Sequence, residues 1–161
     1  MDIRIGVAGA ELGPFRIGMA FEEALATARS LEGYQPPRPG VRRQPGVAHY
    51  ASGLSVLLGA DRRGRLQVIE FYRPEVEVRL WYRDISLFEL SADEVIARLV
   101  EQAEGWENED GERVSFRTED EVVALWRPFR SSSAEDDPQG WYFQSVLVAA
   151  RDHCDGPPSP R

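Results

Sequence analysis

The sequence predicts an α+β fold: two tandem helix-plus-three-strand units with a largely antiparallel sheet and the helices on one face. Two segments carry apolar residues at helical spacing, and short runs of alternating apolar and polar residues follow each of them. Both halves also show the same order of elements. Because a helix-plus-sheet unit buries only one face of its sheet, two such units are expected to share one core. The chain is therefore interpreted as a single domain at 1–154, with pseudo-repeats at about 13–83 and 84–150 and a flexible tail at 155–161.

The first half begins with a short strand, expected at 3–7. A helix follows, and the apolar residues that share its buried face are Phe21, Ala24, Leu25 and Ala28. Residues 34–47 are predicted to form a loop because four prolines exclude helix and central strand. Strands are then expected at 49–60 and 66–73, joined by an Asp-Arg-Arg-Gly turn, and at 76–82, where apolar and polar residues alternate.

The second half starts with a clear helix signal. Ser91 and Glu94 have the spacing of a capping box, in which each side chain accepts a hydrogen bond from a free backbone N–H near the other residue. The buried face of this helix consists of Ala92, Val95, Ile96 and Leu99. An acidic loop is expected at 104–112. The strands that complete this half are expected at 113–117, 121–127 and 141–149.

A second match between the halves supports an internal repeat. The segment Phe71-Tyr72-Arg73-Pro74 aligns with Leu125-Trp126-Arg127-Pro128. Each copy would then place an aromatic-Arg-Pro at the end of its second strand, where proline stops the hydrogen-bond ladder. The alternative is coincidence, since short amphipathic helices resemble one another.

The segment Pro14-Phe15-Arg16-Ile17-Gly18-Met19-Ala20-Phe21-Glu22-Glu23-Ala24 resembles the Gly-Met-Ser/Thr-x-x-Glu opening of the β-lactamase-inhibitor-protein-like group. In that group such a segment leads from a strand into a capped helix, and the inhibitor proteins carry the unit twice. The chain departs from the pattern at Ala20, where the family prefers a capping hydroxyl. The resemblance implies protein binding through the open face of the sheet rather than catalysis. In size, acidity and aromatic content, the chain also resembles small bacterial immunity proteins that neutralise toxins.

Charge is distributed unevenly along the chain, whose net charge is −8. Residues 1–80 hold 11 arginines against 9 acids, a net of +2, whereas residues 81–161 hold 8 arginines against 18 acids, a net of −10. The acidic half argues against binding to nucleic acid or to an anionic membrane, because phosphate contacts need clustered cations. It suits a basic protein partner, the alternative being a surface that serves only solubility.

A cytoplasmic location is expected. The chain has no apolar run long enough to cross a bilayer, and its N-terminus has no signal-peptide pattern. Its single cysteine, Cys154, cannot form an internal disulfide, which suits a reducing compartment.

No catalytic residue, metal site or cofactor is predicted. His153, Cys154 and the distant His49 do not have the spacing of a tetrahedral metal site. The acidic run at 107–112 fails as a calcium loop, because Trp106 would take the first ligand position.

Aromatic residues on the predicted strands are the best candidates for binding. Trp81 is expected on the same solvated strand face as Glu77 and Arg79, and an indole among charges is typical of a binding hot spot. The other residues proposed for binding are Trp126, Trp141, Glu109 and Asp110. The alternative is that these aromatic side chains pack in the core.

The leading hypothesis is a non-enzymatic protein-binding domain of inhibitor or immunity type. A second is a small-ligand-binding domain with an aromatic pocket between the two halves. A third is an enzyme with an unrecognised carboxylate site. Self-association through an exposed strand edge would give a homodimer.

Overall fold

A computed structural model describes residues 2–6, 10–74, 78–102 and 105–151. In these ranges strands take up 40% of the residues and helices 18%. The prediction of an α+β fold with two tandem helix-plus-three-strand units is therefore wrong. The protein is mostly β, built on a large antiparallel sheet that is accompanied, in the described ranges, by three short helices.

The helices are α1 (Phe21–Ser30), α2 (Ala92–Gln102) and α3 (Pro138–Trp141). The strands are β1 (Asp2–Arg4), β2 (Glu11–Leu12), β3 (Phe15–Arg16), β4 (Tyr34–Gln35), β5 (Val47–Tyr50), β6 (Ser55–Ala60), β7 (Leu66–Tyr72), β8 (Arg79–Tyr82), β9 (Ile85–Ser86), β10 (Trp106–Glu109), β11 (Arg113–Arg117), β12 (Glu121–Trp126) and β13 (Ser145–Ala150).

The main sheet has eight strands in the order β10-β11-β12-β13-β7-β6-β5-β4, and every neighbouring pair is antiparallel. β7 and β13 meet at its centre, and each is followed outward by the three strands that precede it in the chain. The main sheet thus holds four consecutive strands on each side of its centre, where the sequence predicted three. The edge strands β4 and β10 were predicted to be parts of loops, β4 because prolines follow it and β10 because its segment is acidic and leads to a glycine. The internal repeat itself stays a prediction.

Two further predicted strands lie differently from what was expected. β8 does not join the main sheet: it pairs in parallel with β1 and antiparallel with β9, in a separate three-stranded sheet. The last strand begins at Ser145, and Trp141 instead ends α3. Pro138 opens that helix, a position at which its fixed φ and missing N–H are tolerated.

The core lies on one face of the main sheet. The strand side chains that face it include Val56, Leu58, Ile69, Phe71, Val123, Leu125, Val146 and Val148. α1 contributes Ala24 and Ala28 to the same cluster, and α2 contributes Val95 and Leu99. α2 starts where the capping box predicts, since the Glu94 backbone N–H donates to Ser91 Oγ at 3.2 Å.

The smaller elements cover the rest of this face. Phe15, from the β2–β3 hairpin, packs edge-on against Phe71 with ring centroids 6.0 Å apart. Tyr82, from the small sheet, packs edge-on against Trp106, with ring centroids 5.4 Å apart. The exposed side chains of the central strands are consequently those that point to the opposite face. In the described residues, no helix has the length and apolar character required to span a membrane.

Candidate functional site

One row of cross-strand neighbours runs across all eight strands on the face opposite the core. The register places its members directly opposite one another, strand by strand. We call it the aromatic row, and its members from β10 to β4 are Glu109, Arg113, Trp126, Ser145, Tyr72, Ser55, His49 and Gln35. Facing side chains in such a row are close enough to contact each other and a common ligand.

Two large aromatic side chains project from the centre of the aromatic row. Trp126 is 46% exposed and Tyr72 is 40% exposed, although both belong to strands of an extensive sheet. Ser145 lies between them, paired with Trp126 on one side and Tyr72 on the other, and it is buried. Neighbouring strands are about 4.8 Å apart, so the two aromatic residues are separated by roughly 10 Å. The small serine leaves a gap between their side chains.

A carboxylate stands beside this gap. Glu70 lies two residues before Tyr72 on β7 and therefore points to the same face. The Tyr72 hydroxyl donates to Glu70 Oε2 at 2.9 Å. Burial and this neighbouring carboxylate raise the pKa of Tyr72 to about 12. At neutral pH the phenol is thus an uncharged donor that orients Glu70.

Glu70 and Arg113 lie at opposite sides of a shallow depression of about 180 Å³. Its remaining lining comes from Ala124, Trp126, Ser145 and Leu147, which belong to the two strands between β7 and β11. The depression therefore offers an indole, an apolar floor, one carboxylate and one guanidinium within a small area.

In the centre of the sheet, on β12 and β13, exposure is limited to one end of this face. In the aromatic row and the row beside it, large side chains such as Trp126, Tyr72 and Leu57 keep some exposure. Two residues further along the strands, Val122 and Ala149 are completely buried. At the centre of the sheet, a ligand on this face would therefore contact the aromatic row and its immediate neighbours.

No family model, curated protein or solved structure matches this chain. His49 Nδ1 and Ser55 Oγ lie 2.7 Å apart in the aromatic row, a contact that follows from their opposed positions on β5 and β6. Among the residues that the structure describes, no group of three His, Cys, Asp or Glu side chains is placed to hold a metal ion.

The residues proposed from the sequence do not form one surface. Trp126 and Glu109 belong to the aromatic row, but Trp81 and Arg79 lie on β8 in the small sheet. Trp81 Nε1 donates to Asp2 Oδ1 at 3.3 Å, so its polar edge is already engaged within the protein. Arg79 lies 3.5 Å from the carboxylate of Glu89.

The remaining three proposed residues lie elsewhere or outside the described ranges. Trp141 ends α3 and is half-buried. Asp110 is exposed in the turn after β10, with a φ of 54°. Glu77 lies outside the described residues.

Four members of this site were not predicted from the sequence: Tyr72, Glu70, Arg113 and Ser145. One signal could have found Tyr72: the match between the two aromatic-Arg-Pro segments aligns it with Trp126. In the structure these two aligned residues flank the same serine. Arg113 faces Trp126 across the β11–β12 hairpin, whereas the place of Glu70 beside this pair depends on the register between the distant strands β7 and β13, which local sequence does not encode.

Proposed function

We propose that the protein is a non-enzymatic protein-binding domain of inhibitor or immunity type, and that the aromatic row with Glu70 is its binding face. One observation carries the proposal: two exposed aromatic side chains, Trp126 and Tyr72, flank a small buried serine on the face opposite the core. Tryptophan and tyrosine dominate binding hot spots, because they bury a large area and lose few rotamers. The lack of catalytic activity stays a prediction.

The charges of this face favour a basic group on the partner. Glu70 lies beside the gap between the rings, where a lysine or arginine side chain could pair with it and contact the face of Trp126. Arg113, across the depression, would repel a second cation and so restrict how the partner docks. The acidic side chains of Glu107 and Glu109, on β10, extend the negative surface toward the sheet edge.

Size argues against the small-ligand alternative at this place. The depression does lie between the two halves, since Glu70 comes from β7 and its other lining residues come from β11 to β13. Its volume of about 180 Å³ is nevertheless below the 300 to 1,000 Å³ typical of small-molecule sites. A side chain on a protein surface fits such a shallow recess better.

Selection of displayed peptides on the immobilised wild-type protein tests the proposal, and the affinity of the enriched peptides is then measured for each variant. Enriched peptides are expected to carry Arg or Lys, and E70Q should weaken their binding. W126A should weaken it about 30-fold, the loss typical of a hot-spot residue. W81A is the matched control, because it removes an indole from the other sheet, and it should leave binding unchanged. Thermal unfolding establishes that each variant is folded.

Three results would refute the proposal: peptides that bind W126A as tightly as the wild type, peptides without basic residues, or a larger loss in W81A than in W126A. The first or third result would show that the aromatic row is not the binding face. The second result would show that the partner need not present a basic group to this face.

A further inference from the structure

A second concavity lies between α1 and the proline-rich loop at 36–46, at the β4–β5 edge of the main sheet. Its volume is about 280 Å³. The apolar part of its wall includes Leu25 and Ala28 from α1, Pro37 and Pro45 from the loop, and Val47 from β5. For comparison, an apolar cavity of about 150 Å³ holds one benzene molecule. At about 280 Å³ the concavity lies just below the 300 Å³ at which sites for drug-sized ligands begin, and it has room for a smaller molecule: a ring or a branched chain with a short polar extension.

Two guanidinium groups line the same concavity, Arg29 from α1 and Arg43 from the loop. Among the described residues, no carboxylate lines it and none forms an ion pair with either arginine. Arg38 and Arg42 lie in the same loop and line an adjoining hollow together with Arg43, which adds to the positive potential. The chemistry that complements these surroundings is an anion attached to an apolar body.

The walls of this concavity are fixed by hydrogen bonds. Arg43 Nη1 donates to the Gln35 carbonyl at 2.7 Å, which positions the guanidinium while leaving other N–H groups free. The Leu58 backbone N–H donates to the Gly46 carbonyl at 2.8 Å and holds the end of the loop against β6. On the other wall, the Tyr50 hydroxyl donates to the Ala28 carbonyl at 2.7 Å and ties α1 to β5. A ligand would thus enter a largely preformed site.

We infer that this pocket binds an apolar carboxylate, an aromatic or branched-chain acid whose carboxylate lies between Arg29 and Arg43. Its apolar body would pack against Leu25 and the two prolines. Two sources share this chemistry, a free small acid and the C-terminal residue of a peptide. The inference does not depend on the binding role of the aromatic row, because the pocket and the row have no side chain in common.

Backbone amide NMR of the full chain tests the inference with three probes: 3-phenylpropionate, its neutral amide, and the peptide acetyl-Gly-Gly-Phe. The free acid is expected to produce saturable shifts at Leu25, Val47 and Ala48. The neutral amide should bind at least about tenfold more weakly, since it loses the charge-assisted hydrogen bonds. Binding of the peptide at the same amides would identify a chain terminus as the source, and binding of the free acid alone would identify a small molecule.

Matched variants separate this site from a general effect of charge. R29Q is expected to weaken binding of the acid about tenfold, and R43Q should act in the same direction. R62Q, in the exposed β6–β7 turn, removes the same charge elsewhere and should leave binding of the acid unchanged. The inference fails if neither carboxylate gives saturable shifts at up to about 10 mM. It also fails if the amide binds as well as the acid, or if R29Q binds like the wild type.

Discussion

Arg127 carries a full charge although none of its surface is exposed. Its guanidinium donates to the Gly111 carbonyl at 2.7 Å, to the Gly140 carbonyl at 2.9 Å and to Asp93 Oδ1 at 2.7 Å. It thereby joins the β10–β11 turn, α3 and the first turn of α2. A buried charge is tolerated only when it is paired and hydrogen-bonded, and here each nitrogen of the guanidinium makes one such bond. The preceding residue is Trp126, so this anchor holds the end of the strand that displays the indole.

Removing the Arg127 side chain should strongly destabilise the folded protein. Arg127→Ala removes the donor to the buried Gly111 carbonyl and one of the two donors to the Gly140 carbonyl, and it opens a cavity. We therefore expect it to lower the free energy of unfolding by about 3 kcal/mol or more. Arg130→Gln is the control: this guanidinium lies 3.7 Å from the same Asp93 carboxylate but is exposed, and its loss should cost less than about 1 kcal/mol. Urea unfolding measures both. Equal losses would mean that Arg127 has no special structural role.

At the scale of single elements, the sequence predicts best where one segment decides its own structure. α1 and α2 were predicted because their apolar stripes and first turns are local features, and the β6–β7 hairpin because its turn lies between two apolar runs. β4 and β10 were missed because their neighbours, rather than their own side chains, make them strands. β8 was misplaced because its alternation indicates a strand but not which strand it pairs with.

The end of the proline-rich loop packs closely against β6 at Gly46, and a single substitution there tests this contact. Gly46 has a φ of 91°, and a Cβ there would collide with the Leu58 carbonyl oxygen. Gly40, in the same loop, has a φ of 80° but no atom near such a Cβ. Gly40→Ala should therefore cost about 1 kcal/mol from backbone strain alone. Gly46→Ala should cost clearly more, because the loop must move away from β6.

Thermal unfolding of the two glycine variants checks this difference. Because both substitutions add one methyl group at a positive φ, their comparison isolates the contact with Leu58. A Gly46→Ala variant as stable as Gly40→Ala would show that the loop end is not held against β6. The walls of the pocket beside α1 would then be less rigid than their hydrogen bonds suggest.

Considered as a whole, the main sheet brings together residues that are far apart in the chain. Trp126 was predicted as a binding residue, but Tyr72 and Glu70, which share its site, come from β7, on the far side of β13. Their meeting depends on the long-range register of β13 with β7, which periodicity does not specify. Composition indicated the charge asymmetry, while the sheet order determines where that charge lies. Acidic β10 forms one edge, and the arginine-rich loop lies beside the other.

These two edges are protected from further strand pairing in different ways. β4 has two residues and leads into Pro36, which cannot donate to a ladder. β10 has four residues and carries Glu107 and Glu109 instead. Two copies that paired through β10 would bring these like charges together. The homodimer that the sequence allows would thus be opposed at this edge at neutral pH.

Removing the β10 charges should release this edge. We expect the double variant E107T/E109T to self-associate in a concentration-dependent manner in sedimentation velocity, because threonine favours strands and the repulsion is gone. The double variant E135T/D136T makes the same change in net charge on an exposed loop and should sediment like the wild type. If both variants associate equally, lower net charge rather than the edge is responsible. If neither associates, the edge must be protected by something other than its charge.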